Sequence, residues 1–128
     1  MDKRENISSG SHWETNFGYS RLVKVGNHIE IAGTVAANSD VKVVGLGDCG
    51  EQTRYVLQKI IPYLEKAGGK AENIVRIWIF TTDITQWEKI GKAHGEIFGN
   101  IKPAMSLIGV NAFVATEFLI EIEATAIL

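Results

Sequence analysis

The chain ends with the segment FLIEIEATAIL, from Phe118 to Leu128. Neighbouring side chains of a β-strand point to opposite faces of a sheet. One row of this segment is wholly apolar, whereas the other carries the carboxylates of Glu121 and Glu123. The segment therefore predicts a strand with one face on a hydrophobic core and two acids on the face that points away. The predicted core row is Ile120, Ile122, Ala124 and Ala126.

Two further segments predict strands of the same sheet. In Ile74–Thr82 we expect one row to face the core and the opposite row to face away. In PAMSLIGV, from Pro103, both rows are mostly apolar, and by the same reasoning Met105 and Leu107 are expected to face away from the core. The rows expected in Ile74–Thr82 are Val75, Ile77 and Ile79 on the core side, and Arg76, Trp78 and Phe80 on the other side.

A hairpin, two helices and a short strand are also predicted. The hairpin turns at Gly26-Asn27 in YSRLVKVGNHIEIAGTVA. Residues 48–67 have apolar side chains at helical spacing, with Pro62 expected to kink or divide the helix and Gly68-Gly69 expected to end it. DVKVVG is read as a short additional strand.

The second helix is expected over residues 85–100. Thr85 and Glu88 have the spacing of a capping box at its start. Trp87 lies on its apolar side and is expected in the core. Gly91 and Gly95 are expected to allow close packing of the helix on the sheet.

The order strand, strand, helix, strand, helix, strand, strand determines the predicted fold. Crossovers between parallel strands are right-handed in nearly all proteins, so both helices lie on one face of a single mixed sheet. This is an α+β fold in one domain, residues 1–128, with residues 1–17 expected to be irregular. The other face would expose large apolar side chains, which is unusual in a monomer. We therefore expect copies of the chain to pack these faces together.

Composition disfavours several classes of function. The chain has 128 residues, a formal net charge of −2 and one cysteine, Cys49. No basic cluster indicates a nucleic-acid or anionic-membrane partner. No signal-like start and no apolar run of about 20 residues is found, so we expect a cytoplasmic protein without a membrane segment.

We expect no cofactor and no metal. GLGDCG, from Gly45, matches the pattern G-x-G-x-x-G, but an acid about 20 residues further on, at the end of the next strand, is missing. The histidines at positions 12, 28 and 94 have no spacing typical of metal ligands.

Several segments in the expected order resemble the Rid family, also called YjgF/UK114. They begin at Gly18 and include VLQKIIPYLEKAGG, NIVRIWIFTTDI, WEKIGKAHGEIFG, KPAMSLIGV and LIEIEATAI. The resemblance implies a chorismate-mutase-like subunit, a homotrimer and a ligand cleft between each pair of subunits. It also implies hydrolysis of reactive enamines and imines, such as 2-aminoacrylate, to a keto acid and ammonia.

The resemblance also implies a set of site residues. Glu121 matches a glutamate that positions or activates water, and Tyr19 matches a residue of the cleft. Ala32 replaces a serine of the family's first hairpin, and Gly33 follows it. Leu107 stands where many active members have cysteine, and Met105 stands where the family has the arginine that binds the substrate carboxylate. We add Trp78 as a candidate ligand contact, although packing is the simpler role for it.

Because Met105 carries no charge, a neutral or cationic ligand fits better than 2-aminoacrylate. Arg21 or Arg76 could supply the missing charge from another strand. The leading hypothesis is hydrolytic deamination of a small imine, enamine or related amine metabolite, with Glu121 orienting water. A trimer that binds a small molecule or serves a structural role without catalysis is the alternative. For Glu121 itself, the alternative role is an ion pair across a subunit interface, for example with Arg76. An endoribonuclease is a third hypothesis, disfavoured by the acidic charge balance.

Overall fold

The fold is taken from a computed structural model, which describes residues 2–128. Six strands and three α-helices alternate along the chain, with single 3-10 turns at Ala71–Asn73 and Ile84–Gln86. The strands are β1 (Arg4–Ile7), β2 (Leu22–Val25), β3 (His28–Val35), β4 (Ile74–Thr81), β5 (Ala104–Gly109) and β6 (Ile120–Ile127). The helices are α1 (His12–Phe17), α2 (Cys49–Lys66) and α3 (Trp87–Phe98).

All six strands form one mixed sheet in the order β1-β2-β3-β6-β4-β5. Only β4 and β5 run parallel, and the other neighbouring pairs are antiparallel. Helix α2 packs against α3, β6 and β3, and both long helices bury side chains in the same core as the sheet. The predicted α+β arrangement, a single mixed sheet with its two long helices on one face, is confirmed.

The hydrophobic core lies between this face of the sheet and the two long helices. The apolar row predicted for β6 is fully buried, at 0–2 % exposure. Each large apolar side chain buried in this way stabilises the fold by about 1.5–3 kcal/mol relative to exposure. Helix α2 contributes Val56, Leu57, Ile60 and Leu64, and α3 contributes Ile90 and Phe98.

Local chemistry determines where α2 begins and ends. The side chain of Asp48 accepts a hydrogen bond from the backbone N–H of Glu51 and so caps the first turn. Pro62 lies inside the helix but does not divide it. Gly68, with φ of +89°, follows the end of the helix in a backbone conformation that favours glycine.

Residues 4–17 contain a strand and a helix, contrary to the expectation of an irregular segment. Strand β1 pairs with β2 over its whole length, and the Ser11 side chain caps α1 by accepting from the N–H of Trp13. Both elements are short, and the apolar pair of α1, Trp13 and Phe17, is largely exposed, so neither has the repeated apolar pattern from which a core-facing element is predicted. Met1 lies outside the described residues. Around DVKVVG the chain forms one bridge, Ala37 to Val43, rather than a strand.

Two predictions of side-chain direction in the sheet are wrong. The pairing of β4 with β6 shifts between Ile74 and Arg76, so Ile74 is buried and Val75 is 43 % exposed. In β5, Met105 and Leu107 pair with the buried Ile77 and Ile79 and thus share the helix-covered face. The row that faces away is Ala104, Ser106 and Ile108.

The start of α3 and the direction of its glycines also differ from expectation. Trp87 is 57 % exposed, so it does not belong to the core. Asp83, rather than Thr85, caps this region by accepting from the Thr85 N–H. A Cβ added at Gly91 or Gly95 would meet no atom within 4 Å, so these glycines do not serve close packing on the sheet.

Candidate functional site

The candidate site is built on an irregularity of β3. Ile31 pairs with Ala124 and Thr34 pairs with Ile122, so β3 advances three residues while β6 advances two. The extra residue forms a bulge at Ala32 and Gly33, a feature that redirects side chains next to functional sites. As a result, Thr34 is turned into the core, where it is 1 % exposed.

Glu121 lies over this bulge on the face of the sheet that the helices leave bare. It pairs with Val35 of β3 and Phe80 of β4. A Cβ added at Gly33 would be 2.8 Å from Glu121 Cδ and would collide with Oε1, so only glycine leaves room for the carboxyl group. Within residues 2–128, no side chain or backbone group donates a hydrogen bond to this carboxyl group.

Burial is the main cause that raises the pKa of Glu121 above its ordinary value. The charge of Glu123, two residues along the same face, raises the pKa further, and the charge of Arg21 partly opposes both effects. A carboxyl group with a raised pKa and free oxygens is suited to accept and return a proton near neutral pH.

Arg21 is almost fully buried behind the bulge. Its Nη1 donates to the carbonyl oxygen of Gly33 and to Thr34 Oγ1, both at 2.7 Å. Its guanidinium carbon lies 5.9 Å from the centroid of the Tyr19 ring, which is 44 % exposed. Arg21 therefore already serves contacts inside the protein, which argues against a role as the missing ligand clamp.

The bare face continues from Glu121 into a row of aromatic and charged side chains on β4. The rings of Trp78 and Phe80 lie 6.3 Å apart and nearly parallel, and the Arg76 guanidinium lies 3.9 Å from the Trp78 centroid. Arg76 Nη2 donates to Ser106 Oγ at 2.8 Å. Arg76 forms no salt bridge with any residue in the described part of the chain.

A cavity of about 280 Å³ opens on this bare face. Two predicted site residues, Ala32 and Trp78, line this cavity, and Glu30 and Glu123 are its acidic lining residues. The remaining lining residues are Ser20, Val23, Ile31, Ala124 and Thr125. One chain therefore brings Ala32, Gly33 and Glu121 together at the bulge. Tyr19 lies beside Arg21, and Trp78 pairs with Glu123 on the neighbouring strand.

The other two predicted site residues lie elsewhere. Met105 and Leu107 are on the helix-covered face at the edge of the sheet, and Leu107 packs against the core. Met105 is 37 % exposed. Within one chain, the sheet separates these two residues from Glu121.

Sequence reasoning missed two charged residues near the bulge. Glu14 of α1 is buried and forms an ion pair with Arg21. Lys59 of α2 donates from Nζ to the carbonyl oxygens of Val35 and Ala37, at 3.3 and 2.8 Å, and burial lowers its pKa. Each occupies a polar position of its helix in the sequence, so no apolar pattern marks it as buried.

Two features are absent from residues 2–128. No group of three or more His, Cys, Asp or Glu side chains is arranged to hold a metal ion. None of the helices is both long and apolar enough to cross a membrane.

The chain matches a known protein family in sequence and in structure. The family model described as endoribonuclease L-PSP matches residues 11–128. The chain belongs to this family. A Mycobacterium tuberculosis member of the YjgF/YER057c/UK114 family has a solved structure with 37 % identity, a TM-score of 0.88 and coverage of 98 % of this chain and all of that one. The resemblance to the Rid family is thereby confirmed.

Other relatives carry general descriptions. A RutC family protein of Pyrococcus abyssi is 33 % identical over 84 % of both chains. An uncharacterised protein of Streptomyces coelicolor is 30 % identical over 94 % of this chain and 89 % of its own. A solved structure from Thermotoga maritima is described as a putative endoribonuclease, with 26 % identity, a TM-score of 0.82 and coverage of 96 % of this chain and 91 % of that one.

Proposed function

We propose that this Rid protein is a homotrimer that hydrolyses a small imine or enamine in a cleft between two subunits. The separation of the predicted site residues supports a shared site. Gly33 and Glu121 lie at the bulge and Tyr19 lies beside Arg21, whereas Met105 and Leu107 lie across the sheet. A cleft between copies would bring the bulge of one chain to the Met105 edge of another. The half-buried aromatic row on β4 supports self-association, because a monomer would leave part of both rings in water.

The carboxyl group of Glu121 carries this proposal. Its oxygens accept no hydrogen bond from the described residues, its pKa is raised, and it lies over a residue that has no side chain. In the proposed reaction a water molecule adds to the C=N carbon while Glu121 accepts one of its protons. Glu121 returns this proton to the nitrogen, which gives a carbinolamine. As the carbinolamine hydroxyl group loses its proton and the nitrogen gains one, the C–N bond breaks and a carbonyl compound and ammonia leave. The sum is one imine and one water consumed for one carbonyl compound and one ammonia formed.

The expected ligand is neutral or cationic. Met105 supplies no charge, and Arg21 is already bound to Gly33 and Thr34. Met105 also favours the second candidate, a trimer that binds a small molecule without catalysis. An endoribonuclease activity, suggested by names in the family, has little support from a chain with net charge −2.

The test is ammonia release from imines generated in situ. An amine oxidase would supply neutral and cationic imines, and an amino acid oxidase would supply anionic ones. We expect the wild type to accelerate release, and Glu121→Gln to lose about 100-fold or more of that acceleration. Light scattering would establish whether wild type and variant are trimers. Glu123→Gln is the matched control, because it changes a neighbouring carboxylate on the same face.

The outcomes separate the two candidates. Glu123→Gln should retain most of the activity, with its pH profile moved to lower pH because one acidic neighbour of Glu121 is gone. Saturable ligand binding without turnover of any imine would favour the non-catalytic trimer. A monomer in solution would contradict the shared cleft.

A further inference from the structure

A buried ion pair connects the N-terminal segment of the chain to the bulge. Glu14 is 4 % exposed and Arg21 is 8 % exposed. Arg21 Nε lies 3.7 Å from Glu14 Oε2. A buried charge destabilises the fold unless other groups compensate it, so an ion pair in this position needs hydrogen bonds on both sides. Both members of the pair have them.

The Glu14 carboxylate is held by two serines that precede α1. Ser8 Oγ donates to Oε1 at 2.8 Å, and the Ser9 backbone N–H donates to the same oxygen at 3.1 Å. The Ser9 hydroxyl donates to Oε2. Although burial opposes this, the hydrogen bonds and Arg21 hold the pKa of Glu14 below its ordinary value, so Glu14 remains ionised beside Arg21.

The Arg21 guanidinium fixes three consecutive residues of β3. Nη1 bridges the Gly33 carbonyl oxygen and Thr34 Oγ1, and Thr34 Oγ1 donates in turn to the Ala32 carbonyl oxygen at 2.9 Å. These are the residues at which the register of β3 and β6 shifts. The guanidinium therefore holds the backbone on which the Glu121 carboxyl group lies.

We propose that Arg21, held in place by Glu14, is the positioning residue of the site. Its guanidinium fixes the backbone under Glu121, and its charge counteracts the negative charge of the neighbouring acids. The segment that contains α1 then has a function: it carries the carboxylate that neutralises part of the Arg21 charge. The proposal rests on the proposed function in one respect, namely that Glu121 is the residue that accepts a proton from water.

Charge removal on the two sides of the pair has opposite consequences for Glu121. The charges that act on Glu121 directly are Glu123 on β6 and Arg21, and those near Arg21 are Glu14 on α1 and Lys59 on α2. Arg21→Gln removes a cation that favours the ionised form of Glu121, so the pKa of Glu121 should rise. Glu14→Gln leaves the Arg21 charge without its counter-ion, so the pKa of Glu121 should fall.

The experiment is a pH titration of the Glu121 side-chain carboxyl carbon by NMR, in the complete chain. It needs no turnover, so its failure is distinguishable from failure of the proposed reaction. Arg54→Gln is the matched control, because Arg54 forms an ion pair with Glu96 on the solvent-exposed side of α2 and α3. Arg21→Lys keeps the positive charge but replaces the planar guanidinium. The pKa of Glu121 should therefore stay close to its wild-type value, while the contacts with Gly33 and Thr34 become weaker.

Opposite shifts in Arg21→Gln and Glu14→Gln, both larger than the shift in Arg54→Gln, are the expected result. Shifts in the same direction, or no larger than in the control, would overturn the proposal. If Arg21→Gln fails to fold, Glu14→Gln and Arg21→Lys still test the proposal. A pKa of Glu121 in Glu14→Gln equal to that in wild type would refute the proposed effect of the ion pair on Glu121. For any imine that is turned over, the pH profile should move in the direction of the titration.

Discussion

The close contact between Glu121 and Gly33 makes Gly33→Ala the most informative single substitution. The added Cβ would occupy the place of the Glu121 carboxyl group. Gly33 does not have a positive φ, so the backbone accepts alanine without strain. The atoms that must move are the far end of a flexible side chain, not backbone atoms.

The two contributions to stability are small and opposite. Replacing glycine by alanine at a compatible position stabilises by about 0.4–1 kcal/mol, because the unfolded chain loses freedom. Forcing Glu121 from its conformation costs about 0.5–1.5 kcal/mol. The free energy of unfolding should therefore change by less than about 1 kcal/mol, or roughly 4 °C in Tm for a domain of this size.

The effect on the site should be much larger than the effect on stability. A carboxyl group pushed towards water loses the burial that raises its pKa, so the pKa of Glu121 should fall towards its ordinary value. Urea unfolding would measure stability, and the NMR titration of Glu121 would measure the site. Any imine hydrolysis that depends on Glu121 should be lost together with the raised pKa.

Gly95→Ala is the control, because Gly95 lies on α3 with no atom within 4 Å of an added Cβ. It should stabilise the protein by about 1 kcal/mol and leave the titration of Glu121 unchanged. Two results for Gly33→Ala would refute the reasoning. A Glu121 titration equal to wild type would mean that the carboxyl group does not lie over Gly33. A loss of more than about 3 kcal/mol would mean that it cannot move aside.

Two further substitutions test buried polar groups away from the site. His94 is buried, its Nε2 has no hydrogen-bond partner among residues 2–128, and burial lowers its pKa. At pH values below about 6.5, His94 therefore binds a proton more readily in the unfolded chain than in the folded protein. The wild type should lose stability as the pH falls through that value. Urea unfolding at pH 7.5 and 5.5 should show a smaller loss in His94→Gln than in wild type, and equal losses would contradict the assignment. Gln52 is fully buried, donates to the carbonyl oxygens of Gly45 and Glu117 and accepts from the N–H of Leu119. Gln52→Leu leaves these backbone groups unsatisfied and should cost about 2–4 kcal/mol in urea unfolding, whereas a cost below about 1 kcal/mol would show that water replaces the amide.

Alternation in the sequence predicted the sheet well only where one row was clearly more polar than the other. In β6 the two glutamates distinguish the rows, and the four core residues were identified correctly. In β5 both rows are mostly apolar, and Met105 was placed on the wrong face. In β4 the alternation was clear, but the pairing is irregular after Ile74, so Ile74 is buried and Val75 is exposed instead of the reverse.

The site was predicted less completely than the fold. Of the residues predicted from a family resemblance, Gly33 and Glu121 lie together at the bulge and Tyr19 lies beside Arg21, while their role in a site stays a prediction. Glu14 and Lys59 were not named, because their burial depends on contacts between elements far apart in the chain. A bulge has no dependable composition signal, and its position determines which residues surround Glu121.

The extra residue of β3 opposite β6 also affects which changes in chain length this protein can accept. Deleting one residue at Ala32 or Gly33 would restore plain pairing and keep Thr34 opposite Ile122, but it would remove the bulge on which the Glu121 carboxyl group lies. The same deletion in the loop between β3 and α2 would leave the direction of every sheet side chain unchanged. In descendants of this chain, gains and losses of residues should therefore accumulate in that loop and spare the middle of β3.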